Sequence, residues 1–226
     1  MVKRANGELE KSERRSEILA RADELFRDRA FDEIKMTDLA QALALAKGTL
    51  YLYFPSKESL FLALLVDRLD AAFGTLFSEI ESAKTAGSDA LSPRVTVESV
   101  ASGTAAVLAA DLTLPRLLAI MHTVLESRLP FEEAAAFKRR LAASLHDAGA
   151  HLAQVLPPLS EEEGRRYFLY LYAQVVGLVS LTDISPFMKR ICAEPGLEMF
   201  RFDFRESLQE SARALLAGIL KEGDKG

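Results

Sequence analysis

The chain holds a single cysteine, Cys192, in 226 residues. No intrachain disulfide can form, and a reducing interior is the simpler expectation. Long hydrophobic runs are missing as well. The opening segment "MVKRANGELEKSERRSE" is charged and lacks the apolar core of a signal peptide. The most apolar stretch, Phe168 to Thr182, is interrupted by Gln174 and falls short of the roughly 20 residues that a membrane-spanning helix needs. A soluble, cytoplasmic protein with no membrane partner is expected. Catalytic patterns are equally scarce. HExxH, a Walker loop and GxSxG do not occur, and no Glu-x-x-His offers a di-iron site. His122, His146 and His151 are widely spaced, and the last two, five apart, share a helix face poorly. No catalytic residue, metal or cofactor is expected, and the chain does not read as an enzyme. No repeat, low-complexity tract or strand bounded by turn chemistry is visible.

Helical signals fill the chain instead. Hydrophobic residues make up 49% of it, enough for a real core. From Ser12 to about Asp28, Ile18, Leu19, Ala22, Leu25 and Phe26 recur at three- and four-residue steps. Short helices are predicted over 37–43 and 47–54. Pro55 ends the second of these and Ser56 can cap a long fourth helix, about 57–83, carrying Leu60, Leu64, Leu65, Leu69, Phe73, Leu76, Phe77 and Ile80. "KTAGSDALSP" (Lys84 to Pro93) reads as a linker. Pro93 and Pro115 suit the first turns of further helices. A long amphipathic helix is predicted over 130–156, stopped by Pro157 and Pro158. Capping boxes at Ser160/Glu163 and Asp203/Glu206 open the last two long helices, about 161–184 and 204–220, with a loop and a short helix between them.

The net charge is −5, yet residues 1–60 hold 11 Lys/Arg and 11 Asp/Glu, so the acidic excess lies wholly in the remainder. A neutral head on an acidic body permits contact with DNA only through locally placed cations. The head also has the spacing for it. A short helix, a three-residue step "ALA" (Ala44 to Ala46) and a second short helix make a helix-turn-helix. "FDEIKMTDLAQALALAKGTLYLYFPSKESLF" (Phe31 to Phe61) resembles the DNA-binding signature of the TetR family of bacterial transcriptional repressors, and the likeness runs from Ile18 to about Leu65. Beyond that point only the all-helical character and the length are shared.

That resemblance implies roles. Lys47, at the start of the third helix, would reach a guanine O6 or N7 or a phosphate. Gly48 would let the helix end approach the duplex, and Thr49 would offer a hydroxyl to a phosphate or a methyl to a thymine. Tyr51 and Tyr53 would present phenols to phosphates. Leu52 is the odd member: exposed in this arrangement, it could make only apolar base contact. Thr37, near the start of the second helix, and Lys57, in the first turn of the fourth, would add backbone contacts. Leu50 and Phe54 would face the core. The chain departs from the family pattern at Ala44, where glycine is usual in the turn. It departs again at Ala46 and Lys35, where a capping hydroxyl is usual.

The expectation is an all-α protein with a helix-turn-helix DNA-binding domain (12–60) joined by a long helix to a larger helical-bundle domain for ligand binding and dimerisation (61–222). The segment "YFLYLYAQVVGLVSLT" (Tyr167 to Thr182) is apolar nearly all round and must be covered on several sides. With helix 204–220 it suggests a homodimer held by a four-helix bundle, with Val175, Leu178, Leu208, Ala212, Leu215 and Ile219 as interface candidates. Gly177 would permit close approach of the partner helix. Phe73, Phe77, Met121, His122, Leu125, Tyr170 and Gln174 are candidates for an apolar or aromatic effector site, although His122 also suits an ordinary hydrogen-bonded histidine and Gln174 also suits the interface. Which face of helix 161–184 serves which role stays open. The function expected is a homodimeric, ligand-responsive repressor of a near-palindromic operator. An activator of the same fold, or a helical protein-binding adaptor that has lost DNA binding, is the alternative.

Overall fold

In the computed structural model, residues 2–85 and 95–223 are described. All regular structure among them is helical. The elements are α1 (Val2–Asp28), α2 (Met36–Ala42), α3 (Lys47–Tyr53), α4 (Lys57–Thr85), α5 (Val97–Ala110), α6 (Thr113–Ile120), α7 (Phe131–Val155), α8 (Glu161–Thr182), α9 (Pro186–Ile191) and α10 (Phe204–Gly223). No single helix among the described residues is long and apolar enough to cross a membrane. The expected linker is helical at Lys84 and Thr85; its remainder, with Pro93, lies outside the described residues.

The chain divides into two compact units, Met1–Asp67 with Ile120–Ala134, and Arg68–Ala119 with Ala135–Gly226. Residues 57–67 of α4 belong to the first and 68–85 to the second.

The first unit is built on the apolar stripe of α1. Ile18, Ala22 and Phe26 are buried with Leu39, Leu50, Phe54, Leu60, Phe61 and Leu65. Phe61 sits at its centre and meets Phe26 and Phe31 edge-on, with ring centroids 5.3 and 5.1 Å away. Such pairs add about 0.5–1.5 kcal/mol each beyond their burial. Ser56 caps α4 by accepting the Ser59 N–H at 3.0 Å. The helix expected at Pro115 is α6, with Pro115 in its first turn. It then widens into a π turn at Met121–Leu125 and tightens at Glu126–Arg128.

In the second unit α5, α8 and α10 pack together, burying Val100, Ala101, Ala105, Val175, Leu208, Ala212 and Leu216. Ser160 and Glu163 form the expected reciprocal cap: the Glu163 carboxylate accepts the Ser160 N–H at 2.8 Å and the Ser160 hydroxyl accepts the Glu163 N–H at 3.3 Å. The Ser160 N–H, joined by the Ser160 hydroxyl donating at 2.7 Å, holds the Glu163 carboxyl pKa below its ordinary value. Asp203 caps α10 by accepting the Glu206 N–H at 2.8 Å. α7 and α8 cross almost backbone to backbone. A Cβ on Gly149 would lie 2.7 Å from the Arg165 nitrogen, and one on Gly164 would lie 2.5 Å from the Gly149 carbonyl oxygen. Only glycine fits at either place.

Candidate nucleic-acid interface

The turn between α2 and α3 sets the angle at which α3 is presented. α2 closes with two reverse hydrogen bonds, Leu45 N–H to the Ala40 carbonyl at 2.9 Å and Ala44 N–H to the Gln41 carbonyl at 3.1 Å. That pair of bonds is a Schellman cap, whose pivotal residue must be left-handed and is usually glycine. Here the pivot is Ala44, with φ of 52°. The alanine therefore stands where its Cβ is least welcome. Ala46 then begins α3 with no side-chain cap, as its methyl requires. Lys35 likewise begins α2 uncapped, while the Asp38 carboxylate accepts its N–H at 3.4 Å.

α3 is held from behind by Leu50 and Phe54, both buried, with the Arg15 guanidinium 5.0 Å over the Phe54 ring. Its opposite face is open: Lys47, Gly48, Tyr51 and Leu52 are exposed, Tyr51 at 39% and Leu52 at 82%, while Thr49 and Tyr53 are half-buried. The Lys47 ammonium lies 5.8 Å from the Tyr51 ring centre, so the two side chains share one edge of the helix.

A concavity of about 340 Å³ runs beside this face, lined by Asp32, Ile34, Lys35, Met36, Thr37, Lys47, Tyr51 and Lys57. It brings together four residues expected at DNA, namely Thr37, Lys47, Tyr51 and Lys57, from α2, α3 and α4. Three cations against one carboxylate make its charge positive. Asp32, Ile34 and Met36 have nothing in their spacing that marks them for this place.

Lys57 has a second, internal occupation. Its ammonium donates to the Phe31 carbonyl at 2.8 Å and the Ile34 carbonyl at 3.0 Å, and sits 3.9 Å over the Phe31 ring. Partial burial lowers its pKa, an effect opposed by nearby Asp32. Two of its three donors thus tie α4 to the segment that leads into α2, leaving one for an external anion.

The residues expected at an effector divide between the units. Met121, His122 and Leu125 fall in the first unit, where Met121 and Leu125 are buried. His122 is exposed, with Nδ1 2.8 Å from the Glu126 carboxylate. Phe73 and Phe77 fall in the second unit and build an aromatic cluster. Phe73 meets the Phe168 ring edge-on at 5.1 Å, and Phe77 stacks on the His151 ring at 4.1 Å. Tyr167 packs edge-on against Phe168 at 5.2 Å and is wholly buried. Burial raises its pKa to about 12. Tyr170 and Gln174 lie on the opposite, exposed face of α8, away from this cluster.

The residues expected at a dimer interface take part in the chain's own packing. Val175, Leu178, Leu208, Ala212 and Ile219 are buried within the chain and Leu215 is half-buried. An all-round apolar helix has two apolar faces, and in α8 this set covers the inner one. Its outer face carries Tyr170, Ala173, Gln174, Gly177 and Leu181, all exposed.

Residues 18–64 match the family model described as bacterial regulatory proteins of the tetR family, and residues 70–223 match a tetracyclin repressor-like C-terminal domain. The transcriptional regulator EthR of Mycobacterium tuberculosis is 44% identical over 62 residues, which span 26% of this chain and 29% of that protein. The likeness to that curated relative thus covers less than a third of its length. The fatty acid degradation regulator FadR of Bacillus halodurans superposes with a TM-score of 0.55 at 19% identity, over 90% of this chain and 98% of that one. The repressor AlkX of Dietzia sp. superposes with a TM-score of 0.55 at 16% identity, over 92% and 95%. With both of its halves matched in order, the chain belongs to the TetR family of DNA-binding transcription regulators, built of a helix-turn-helix head and a helical C-terminal domain.

Proposed function

We propose that this protein is a homodimeric repressor that holds a near-palindromic operator through α2 and α3 and releases it when a small effector binds the second unit. The observation that carries this reading is the positive concavity beside the exposed face of α3, where Thr37, Lys47 and Tyr51 converge. Two such faces related by a two-fold axis would meet half-sites one turn of DNA, or a small multiple, apart. Lys47 and Tyr51 are the direct contacts. Lys57 fixes the segment leading into α2 and lends its remaining donor to a phosphate.

Dimerisation is assigned to the outer faces of α8 and α10. Small residues on both, Ala173, Gly177, Ala214 and Gly218, would let helices of two copies approach closely, and a Cβ added at Gly177 or Gly218 meets nothing within 4 Å. The effector is assigned to the aromatic cluster of Phe73, Phe77 and Phe168, which suits an apolar or aromatic molecule. FadR of Bacillus subtilis, solved in complex with stearoyl-CoA, has the same fold. Because α4 contributes to both units, it is the element through which effector occupancy reaches the head. Effector and operator must then weaken each other's binding by the same factor.

Light scattering at micromolar concentration tests the dimer: a mass near twice 24.9 kDa is expected, and a stable monomer refutes it. Gly177→Trp and Gly218→Trp should each shift the protein towards monomer.

A further inference from the structure

We infer that Leu52 reads the 5-methyl group of a thymine, one in each half-site of the operator. The inference rests on the reading of α3 as the element that enters the major groove. Leu52 is the most exposed large apolar side chain among the described residues, at 82%. Its direction is fixed, because Leu50 and Phe54, two positions to either side, are buried and pin the helix from behind. Gly48, one turn earlier on the same face, carries no side chain, and even an added Cβ there would meet nothing within 4 Å. Nothing beside Leu52 therefore holds it away from the groove floor.

The rest of the helix explains why an apolar contact matters. "KGTLYLY" contains no arginine, asparagine or glutamine, so Lys47 is its one side chain able to grip a purine with two hydrogen bonds. Lys47 stands at the start of the helix with its ammonium 5.8 Å from the Tyr51 ring centre, and Thr49 offers a single hydroxyl. The face that meets the bases is thus poor in polar readers and crowned by one leucine. In the major groove the only apolar group on a base edge is the thymine methyl. A leucine facing any other base edge would bury polar atoms without a partner, so its presence selects for thymine as well as against the alternatives.

The test uses the shortest duplex from the gene's own upstream DNA that the protein protects. Each thymine in turn is replaced by uracil, which keeps the O4 acceptor and the base pair and removes only the methyl. Wild-type protein should bind about four-fold more weakly for one uracil position per half-site, the worth of one buried methyl. Leu52→Ala removes the contact from both half-sites of the dimer, so it should lose about the square of that factor, roughly 16-fold, on the thymine duplex and become indifferent to uracil there, while Leu52→Met should keep the discrimination. Uracil effects at no position, or effects that persist undiminished in Leu52→Ala, overturn the assignment while leaving the operator reading intact. Failure of the wild type to bind any upstream duplex overturns both. Leu52 is exposed, so circular dichroism of the variants should match wild type.

Discussion

Ala44→Gly should make the head more stable, by an amount that the backbone fixes. Ala44 has φ of 52°, within the left-handed region. Holding an L-residue there costs about 1–2 kcal/mol relative to glycine. Glycine has more freedom to lose on folding, which offsets about 0.4–1 kcal/mol of that gain. The net stabilisation is about 0.8 kcal/mol, equivalent to roughly a four-fold slower opening of the turn. Amide hydrogen exchange reads this directly. The Leu45 and Ala44 N–H groups close the Schellman cap onto Ala40 and Gln41, so peptides covering 36–54 should exchange about four-fold more slowly in the variant. Ala42→Gly is the control. Ala42 is the last residue of α2, so glycine there should speed exchange, at a cost of about 0.5 kcal/mol. Unchanged or faster exchange in Ala44→Gly would refute the strain argument, and equal effects of the two substitutions would show that it has no positional basis.

The remaining predictions concern internal ties. Lys57→Met removes two charge-assisted bonds to carbonyls and should destabilise the protein by about 2 kcal/mol in thermal or urea denaturation. A wild-type melting curve for that variant would show the tie to be idle. Gly149→Ala and Gly164→Ala push a Cβ into backbone at the α7–α8 crossing and should each cost about 2 kcal/mol, with little additivity between them. Alkaline titration of tyrosine absorbance should show one of the five tyrosines ionising only near pH 12 while the protein is folded. Tyr167 keeps its proton in the native state after the unfolded chain has lost it. Its contribution is therefore complete below about pH 10 and is lost as pH rises towards 12. Disappearance of the late step in Tyr167→Phe confirms the assignment, and persistence of the step rejects it.

Sequence reasoning reached most of the helices because their ends carry local chemistry. Ser56, Ser160 and Asp203 announce α4, α8 and α10, and each is seen accepting the expected N–H. Ala44 could be flagged as out of place from the family pattern, while its cost needed a torsion angle. Lys57 shows the limit from the other side. A lysine in a first turn reads as an outward cation, but its ammonium turns to carbonyls 26 and 23 residues earlier, which no local pattern reveals. The faces of α8 were undecidable for a different reason. When nearly every position is apolar, periodicity loses its phase, so Val175 and Leu178 were as eligible for the outer face as Tyr170 and Leu181. The widening at Met121–Leu125 has no signal in "MHTVL" at all.

The central claim is that the exposed edge of α3 holds DNA. Affinity for the protected upstream duplex should be measured by fluorescence anisotropy across salt concentrations, for wild type and for a Lys47→Ala/Tyr51→Ala variant. Wild type should bind with an affinity that falls steeply as salt rises, and the variant should bind at least ten-fold more weakly with a shallower salt slope. Equal affinity and equal slope for the two proteins would contradict the claim.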